Sequence, residues 1–114
     1  MNRFDQYAKF LDMVSHLILH AQSHDIPIRL GEAHRPKFVA EKYVKEGTGI
    51  LNSKHRWSLA IDIWIIDAKT GKEILWKDPR YDILGKFWES LTGIWGGHFE
   101  RYDPYHFECG EKPA

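Results

Sequence analysis

Nine residues, Ser58-Leu59-Ala60-Ile61-Asp62-Ile63-Trp64-Ile65-Ile66, constrain this chain more than any other stretch. Side chains alternate along a strand, so Leu59, Ile61, Ile63 and Ile65 share one face while Ser58, Ala60, Asp62 and Trp64 share the other. Branched apolar residues at every second position favour an extended segment with one buried face. Asp62 interrupts that simple reading. A carboxylate between isoleucines is costly unless it is paired or bound to a cation.

The segments around this strand read as helices and short strands. Residues 3–24 have helical spacing, with Phe4, Tyr7, Leu11, Val14, Ile18 and Ala21 expected on the buried stripe. Ser23-His24-Asp25 and Pro27 end that helix, and Ile28-Arg29-Leu30 follows as a short strand. A second helix is expected after Pro36, burying Phe38, Val39, Tyr43 and Val44. Residues 47–49 and Asn52-Ser53 mark a loop. Thr70-Gly71 reads as a hairpin turn returning through residues 73–76. A third helix is expected over 81–91, with Ile83, Leu84, Phe87, Trp88 and Leu91 inward, and tail strands around 94–99 and 105–109. Helices and antiparallel hairpins in mixed order give an α+β fold: one small antiparallel sheet flanked by helices, in a single domain of residues 1–114.

Composition narrows the function. Hydrophobic residues make up 43% of 114 and aromatics 14%, enough for a core without a covalent staple. Sixteen basic residues balance sixteen acidic ones, which argues against a nucleic-acid partner. Cys109 is the single cysteine, so no intramolecular disulfide forms, and it reads as a small buried apolar residue. Asp5, Lys9, Asp12, His16 and His20 break every apolar run near the N-terminus. No signal peptide and no membrane span of about 20 residues is therefore expected.

Two histidines can complete a site with Asp62. His55 lies seven residues earlier, about 23 Å away in an extended chain at ~3.3 Å per residue. Zinc sits ~2 Å from its ligands, so their donor atoms lie within about 4 Å of one another. The chain must therefore turn near Trp57-Ser58 if both are to share one ion. The third candidate is His106. Pro104 keeps Asp103 extended and opens a strand with His106 and Glu108 on one side, Tyr105 and Phe107 on the other. His, Asp and His leave a fourth zinc position for water, whose pKa zinc lowers to about 7. A carboxylate must still carry the proton to the leaving amine. Asp103 is well placed for this, with Glu108 as the alternative.

These residues resemble a known family. The stretch from Ser53 to Asp62, Ser-Lys-His-Arg-Trp-Ser-Leu-Ala-Ile-Asp, is similar to the S-x-H-x-x-G-x-A-x-D motif of the D-alanyl-D-alanine metallopeptidases. That family includes the vancomycin-resistance dipeptidases, the D,D-carboxypeptidases and the phage L-alanyl-D-glutamate endolysins. Asp103-x-x-His106 resembles its second motif, Trp95-Gly96-Gly97 its W-G-G, and Glu32-Ala33-His34-Arg35 its arginine stretch. The matches run in family order across residues 31–108. The resemblance implies Zn2+ held by His55, Asp62 and His106 in a hedgehog/D,D-peptidase-like zinc fold. It implies Asp103 as general base and Arg35 on the substrate or its developing oxyanion. Three positions depart from the pattern: Ser58 replaces the motif glycine, His34 the aromatic before the arginine, and His98 follows W-G-G where an acid is frequent. These departures bear on substrate detail more than on activity.

Within the family, Asp in Asp103-x-x-His106 matches the endolysins, whereas the dipeptidases and carboxypeptidases carry Glu there. The implied activity is L-alanyl-D-glutamate endopeptidase, with the peptidoglycan stem peptide as partner. Alternatives are a D,D-carboxypeptidase of the same family and a non-enzymatic zinc module of the same fold; neutral charge disfavours a metal-dependent nuclease. The chain is expected to act as a monomer, without nucleic acid or membrane, and to stay cytoplasmic until released to the cell wall. His16, His20 and His24 form a stripe without an H-E-x-x-H pattern and read as a solvated helix face. The five tryptophans read as core.

Overall fold

The computed structural model of the chain describes residues 2–47, 54–111 and 113. Of the loop expected at residues 47–49 and Asn52-Ser53, all but Gly47 lies outside them. In chain order the elements are α1 (Arg3–Ser23), β1 (Ile28–Leu30), α2 (Lys37–Lys45), a 3-10 turn (Lys54–Trp57), β2 (Ala60–Ile65), α3 (Arg80–Ser90), β3 (Ile94–Trp95), a second 3-10 turn (Gly96–His98) and β4 (His106–Glu108). The strands form one antiparallel sheet in the order β1-β2-β4-β3. This is the expected α+β architecture.

The alternation in β2 decides which side of the sheet is covered. Leu59, Ile61, Ile63 and Ile65 are buried with Phe107 of β4. α1 and α3 pack over that face: Phe10 meets Trp88 edge-on at 6.0 Å, and Trp88 meets Phe107 at 5.9 Å. Each such side chain contributes roughly 1.5–3 kcal/mol through burial. The opposite face of the sheet carries Asp62 and its neighbours.

Several details differ from the sequence reading. α1 starts at the Asn2 cap, whose side chain accepts the Asp5 N–H at 2.8 Å, but it buries Gln6, Phe10, Met13, Val14, Leu17 and Ala21. Phe4, Tyr7 and Leu11 are exposed. The helix carries two adjacent apolar stripes, and the one facing Trp88 is buried. Among the described residues α2 adds no side chain to the buried core, and Phe38 and Val44 are exposed. In α3 Ile83 is exposed and Tyr81 takes the interior place. The Tyr81 hydroxyl accepts the Ile65 N–H at 3.0 Å and donates to the Ile74 carbonyl at 2.6 Å. That side chain claims the backbone groups a returning strand would pair, so the hairpin after Gly71 is reduced to one bridge, Ile66 to Glu73. The expected strand at 94–99 stops after Trp95, where Gly96 begins a 3-10 turn. No helix among the described residues is long and apolar enough to cross a membrane.

Candidate metal centre

β2 and β4 place Asp62 opposite His106. Ile63 N–H donates to the Tyr105 carbonyl and Cys109 N–H to the Leu59 carbonyl, so Asp62 and His106 form a non-hydrogen-bonded pair, the kind that brings side chains closest. The chain after β1 runs along the other side of Asp62, which donates its N–H to the Glu32 carbonyl and accepts from Gly31 N–H. A methyl group on Gly31 would lie 3.1 Å from both Asp62 Cβ and Trp64 Nε1, so glycine permits this close passage.

His55 reaches the same place through a reversal. Ser58 has φ 58°, and Leu59 N–H donates back to the Lys54 carbonyl at 3.0 Å. This turn, at the position inferred from the required reach, folds the His55 ring over β2. His55 Nδ1 contacts the Ala33 carbonyl at 3.2 Å, and His106 Nε2 contacts Glu108 Oε1 at 2.9 Å. A carbonyl and a carboxylate only accept, so these nitrogens carry the protons of the neutral rings.

The inward donors are then His55 Nε2, Asp62 Oδ1 and His106 Nδ1. They lie 3.0 Å (His55 to Asp62), 3.2 Å (His55 to His106) and 3.8 Å (His106 to Asp62) apart. Ligands ~2.0–2.1 Å from a tetrahedral zinc stand about 3.3 Å apart, so the three fit one ion. Among the described residues they form the one cluster of this kind. Three lone-pair donors facing one another also need a cation between them. Without a metal, a proton serves. Burial opposes charge on His106, but its interactions with Asp62 and Glu108 outweigh burial and lift its pKa to about 9. Burial likewise favours the neutral form of Asp62, yet His106 and His55 pull its pKa down to about 2.

Asp103 faces the same cluster. Burial raises its pKa, with nearby Asp62 adding to the rise and His106 opposing it. A raised carboxyl pKa suits a group that takes and returns a proton. The W-G-G stretch buttresses the segment. Trp95 Nε1–H donates to the Pro104 carbonyl at 2.9 Å, and Asp103 N–H donates to the Gly96 carbonyl at 3.0 Å. Tyr102 and Pro104, which flank Asp103 in the chain, line an open cleft of about 450 Å³ with Trp76 and Tyr105. Trp76 is half exposed and Trp64 stands outside the buried core cluster, so both depart from the core role expected of the five tryptophans.

The other candidates are anchored in different ways. Arg35 is bonded to Glu32 and lies over the Tyr43 ring, 5.0 Å from its centroid. Its backbone N–H donates to the His55 carbonyl at 2.8 Å, which seats it beside the His55 turn. His34 Nδ1 lies 2.8 Å from the Ser58 hydroxyl, so two departures from the motif pattern pair with each other. His98 turns to Glu89 of α3 at 3.1 Å and packs on Trp95. Glu108, the alternative base, spends its carboxylate on His106 and Lys54. Lys54, which the sequence motifs do not single out, sits directly before His55. Cys109 is buried, as expected.

Comparison with known proteins agrees with the motifs. None of the curated proteins matches the sequence. Among solved structures, the L-Ala D-Glu endopeptidase ChiX of Serratia marcescens shares the fold, with a TM-score of 0.64 and 22% identity over 86% of this chain and 77% of that one. A family model described as D-alanyl-D-alanine carboxypeptidase matches residues 46–109, more than half the chain and a span that includes His55, Asp62, Asp103 and His106. The chain belongs to that family of metallopeptidases.

Proposed function

We propose that the protein is a zinc-dependent endopeptidase that hydrolyses the L-alanyl-D-glutamate bond of peptidoglycan stem peptides. The observation that carries the reading is the convergence of His55, Asp62 and His106 within 3.0–3.8 Å beside Asp103, in a chain of this family. A zinc bound there would lower the pKa of a water to about 7 and polarise the scissile carbonyl. Asp103 accepts the proton of the attacking water and returns it to the leaving amine. Arg35 presents a cation, steadied by Glu32 and Tyr43, to a substrate carboxylate or the developing oxyanion. Tyr102 and Pro104, the chain neighbours of Asp103, line a cleft with Trp76 and Tyr105 that would offer the stem peptide a wall. The aspartate in the second motif, and the likeness in fold to an L-Ala D-Glu endopeptidase, favour that bond. The family description, D-alanyl-D-alanine carboxypeptidase, makes release of terminal D-alanine the second reading.

Mass spectrometry of digested peptidoglycan separates the two. L-alanyl-D-glutamate cleavage leaves a new amino terminus on D-glutamate, whereas carboxypeptidase action frees D-alanine. A digest with neither product sinks both. Metal analysis of His55→Ala and His106→Ala should show loss of zinc, and full occupancy in both variants would remove those ligands.

A further inference from the structure

Lys54 and Glu108 have no chemical step in the reading above, yet their side chains are only 16% and 14% exposed. Glu108 Oε1 accepts from His106 Nε2 at 2.9 Å, and its Oε2 lies 2.6 Å from Lys54 Nζ. Lys54 Nζ also donates to the Cys109 carbonyl at 2.7 Å. Lys54 opens the turn that carries His55, and Glu108 closes the strand that carries His106. The register pairs Ala60 with Glu108, two residues along from Asp62 and His106 on the same face.

We infer that Glu108 and Lys54 are positioning residues that hold His106 as its Nε2–H tautomer and turn Nδ1 toward the metal. A neutral imidazole has one proton for two nitrogens, and the partner of one nitrogen decides which lone pair the other offers. A carboxylate can only accept, so Glu108 keeps that proton on Nε2. Lys54 supplies the opposite charge that an isolated buried carboxylate would lack. The same ion pair ties the His55 turn to β4, which fixes the spacing between the two histidine ligands. Loss of such an outer partner typically weakens metal binding about 10–100-fold. The inference rests on the metal reading of the site but not on which peptide bond is cut.

Nitrogen-15 NMR of the histidines in the zinc-loaded full chain reads the tautomer directly. His106 should show a protonated Nε2 and a metal-bound Nδ1; zinc on Nε2 with a proton on Nδ1 overturns the inference. Chelator competition reads the consequence. Glu108→Ala should weaken zinc binding about 10–100-fold, with Lys54→Met weakening it in the same direction, while exposed Lys77→Met matches the wild type. Wild-type affinity in folded Glu108→Ala overturns the inference. Should that variant fail to fold, the wild-type spectrum still decides. A wild-type chain that takes up no zinc overturns this inference and the metal reading together, whereas zinc bound through Nε2 overturns only this one.

Discussion

Asp103 and Ser58 are single residues whose environments make separable demands. Asp103 is a half-buried carboxyl with a raised pKa that is electrostatically coupled to the cluster without belonging to the donor set. Asp103→Asn should therefore keep zinc content and melting temperature while losing hydrolysis by about 10²–10⁴-fold, the usual contribution of a placed acid–base group. Near-normal turnover would move the proton-transfer role elsewhere. Ser58 holds φ 58°, a conformation that costs a non-glycine residue about 1–2 kcal/mol, and its contact with His34 recovers about 1 kcal/mol. Ser58→Gly removes both, so its stability should stay within about 1 kcal/mol of wild type. Ser58→Val keeps the strain and loses the hydroxyl, so denaturant titration should find it clearly less stable. Arg35→Lys keeps charge but loses the planar fork. Turnover assays should show kcat/KM lowered about 30–150-fold, the equivalent of roughly 2–3 kcal/mol, at unchanged zinc content. Unchanged kinetics would leave Arg35 with only its bond to Glu32 and its place on Tyr43.

At the scale of elements, the site is a junction of β2, β4, the Lys54–Trp57 turn and the Gly96–His98 turn. The last of these admits little change. A methyl group on Gly96 would stand 2.2 Å from the Asp103 carbonyl oxygen and 3.0 Å from His106 Cβ. Gly96→Ala must push the Asp103–His106 segment away from β3. Chelator competition and turnover should both deteriorate, and an alanine variant with wild-type metal affinity and rate would show that the segment yields freely. Much of this junction was legible beforehand. The alternation around Asp62 marks β2, and the reach from His55 demands a turn where Ser58 provides one. The bond between Glu108 and Lys54 was not legible, because it depends on the register that sets Ala60 against Glu108. Phe4, Tyr7 and Leu11 fall outside the buried stripe of α1, which keeps Val14 and Ala21, for a related reason. Phe4-Tyr7-Leu11 and Phe10-Met13-Leu17 satisfy helical periodicity equally, and only the position of Trp88 chooses between them. The hairpin after Gly71 was overread because a distant hydroxyl, that of Tyr81, occupies the pairing groups.

At the scale of the whole molecule, a metal bound at the cluster would compete there with protons. The pKa of His106 rises from 6.5 to about 9 in the metal-free fold. Its charged form therefore stabilises that fold fully below pH 6.5, and the contribution fades as pH rises through about 9. The pKa of Asp62 falls from 3.8 to about 2, so its contribution is present above pH 3.8 and fades as pH drops through about 2. The metal-free chain should melt at a higher temperature near pH 6 than near pH 9.5. Apparent zinc affinity should rise over that same interval, because binding displaces the His106 proton. Calorimetric scans of chelated protein at the two pH values check the first expectation, and a flat profile would contradict it. The two-faced sheet has a further consequence for how such a chain can change over generations. Along β2 the odd-numbered residues answer to the core, where truncating an isoleucine to alanine costs about 2–5 kcal/mol, a large part of the ~5–15 kcal/mol that holds a domain folded. Half-buried Trp64 shares the other face with Asp62. A substitution at Trp64 that keeps its ring stacked on Tyr105 would draw less on that margin than one on the core face, so change on the face of Asp62 can proceed one residue at a time without first acquiring a stabilising change elsewhere.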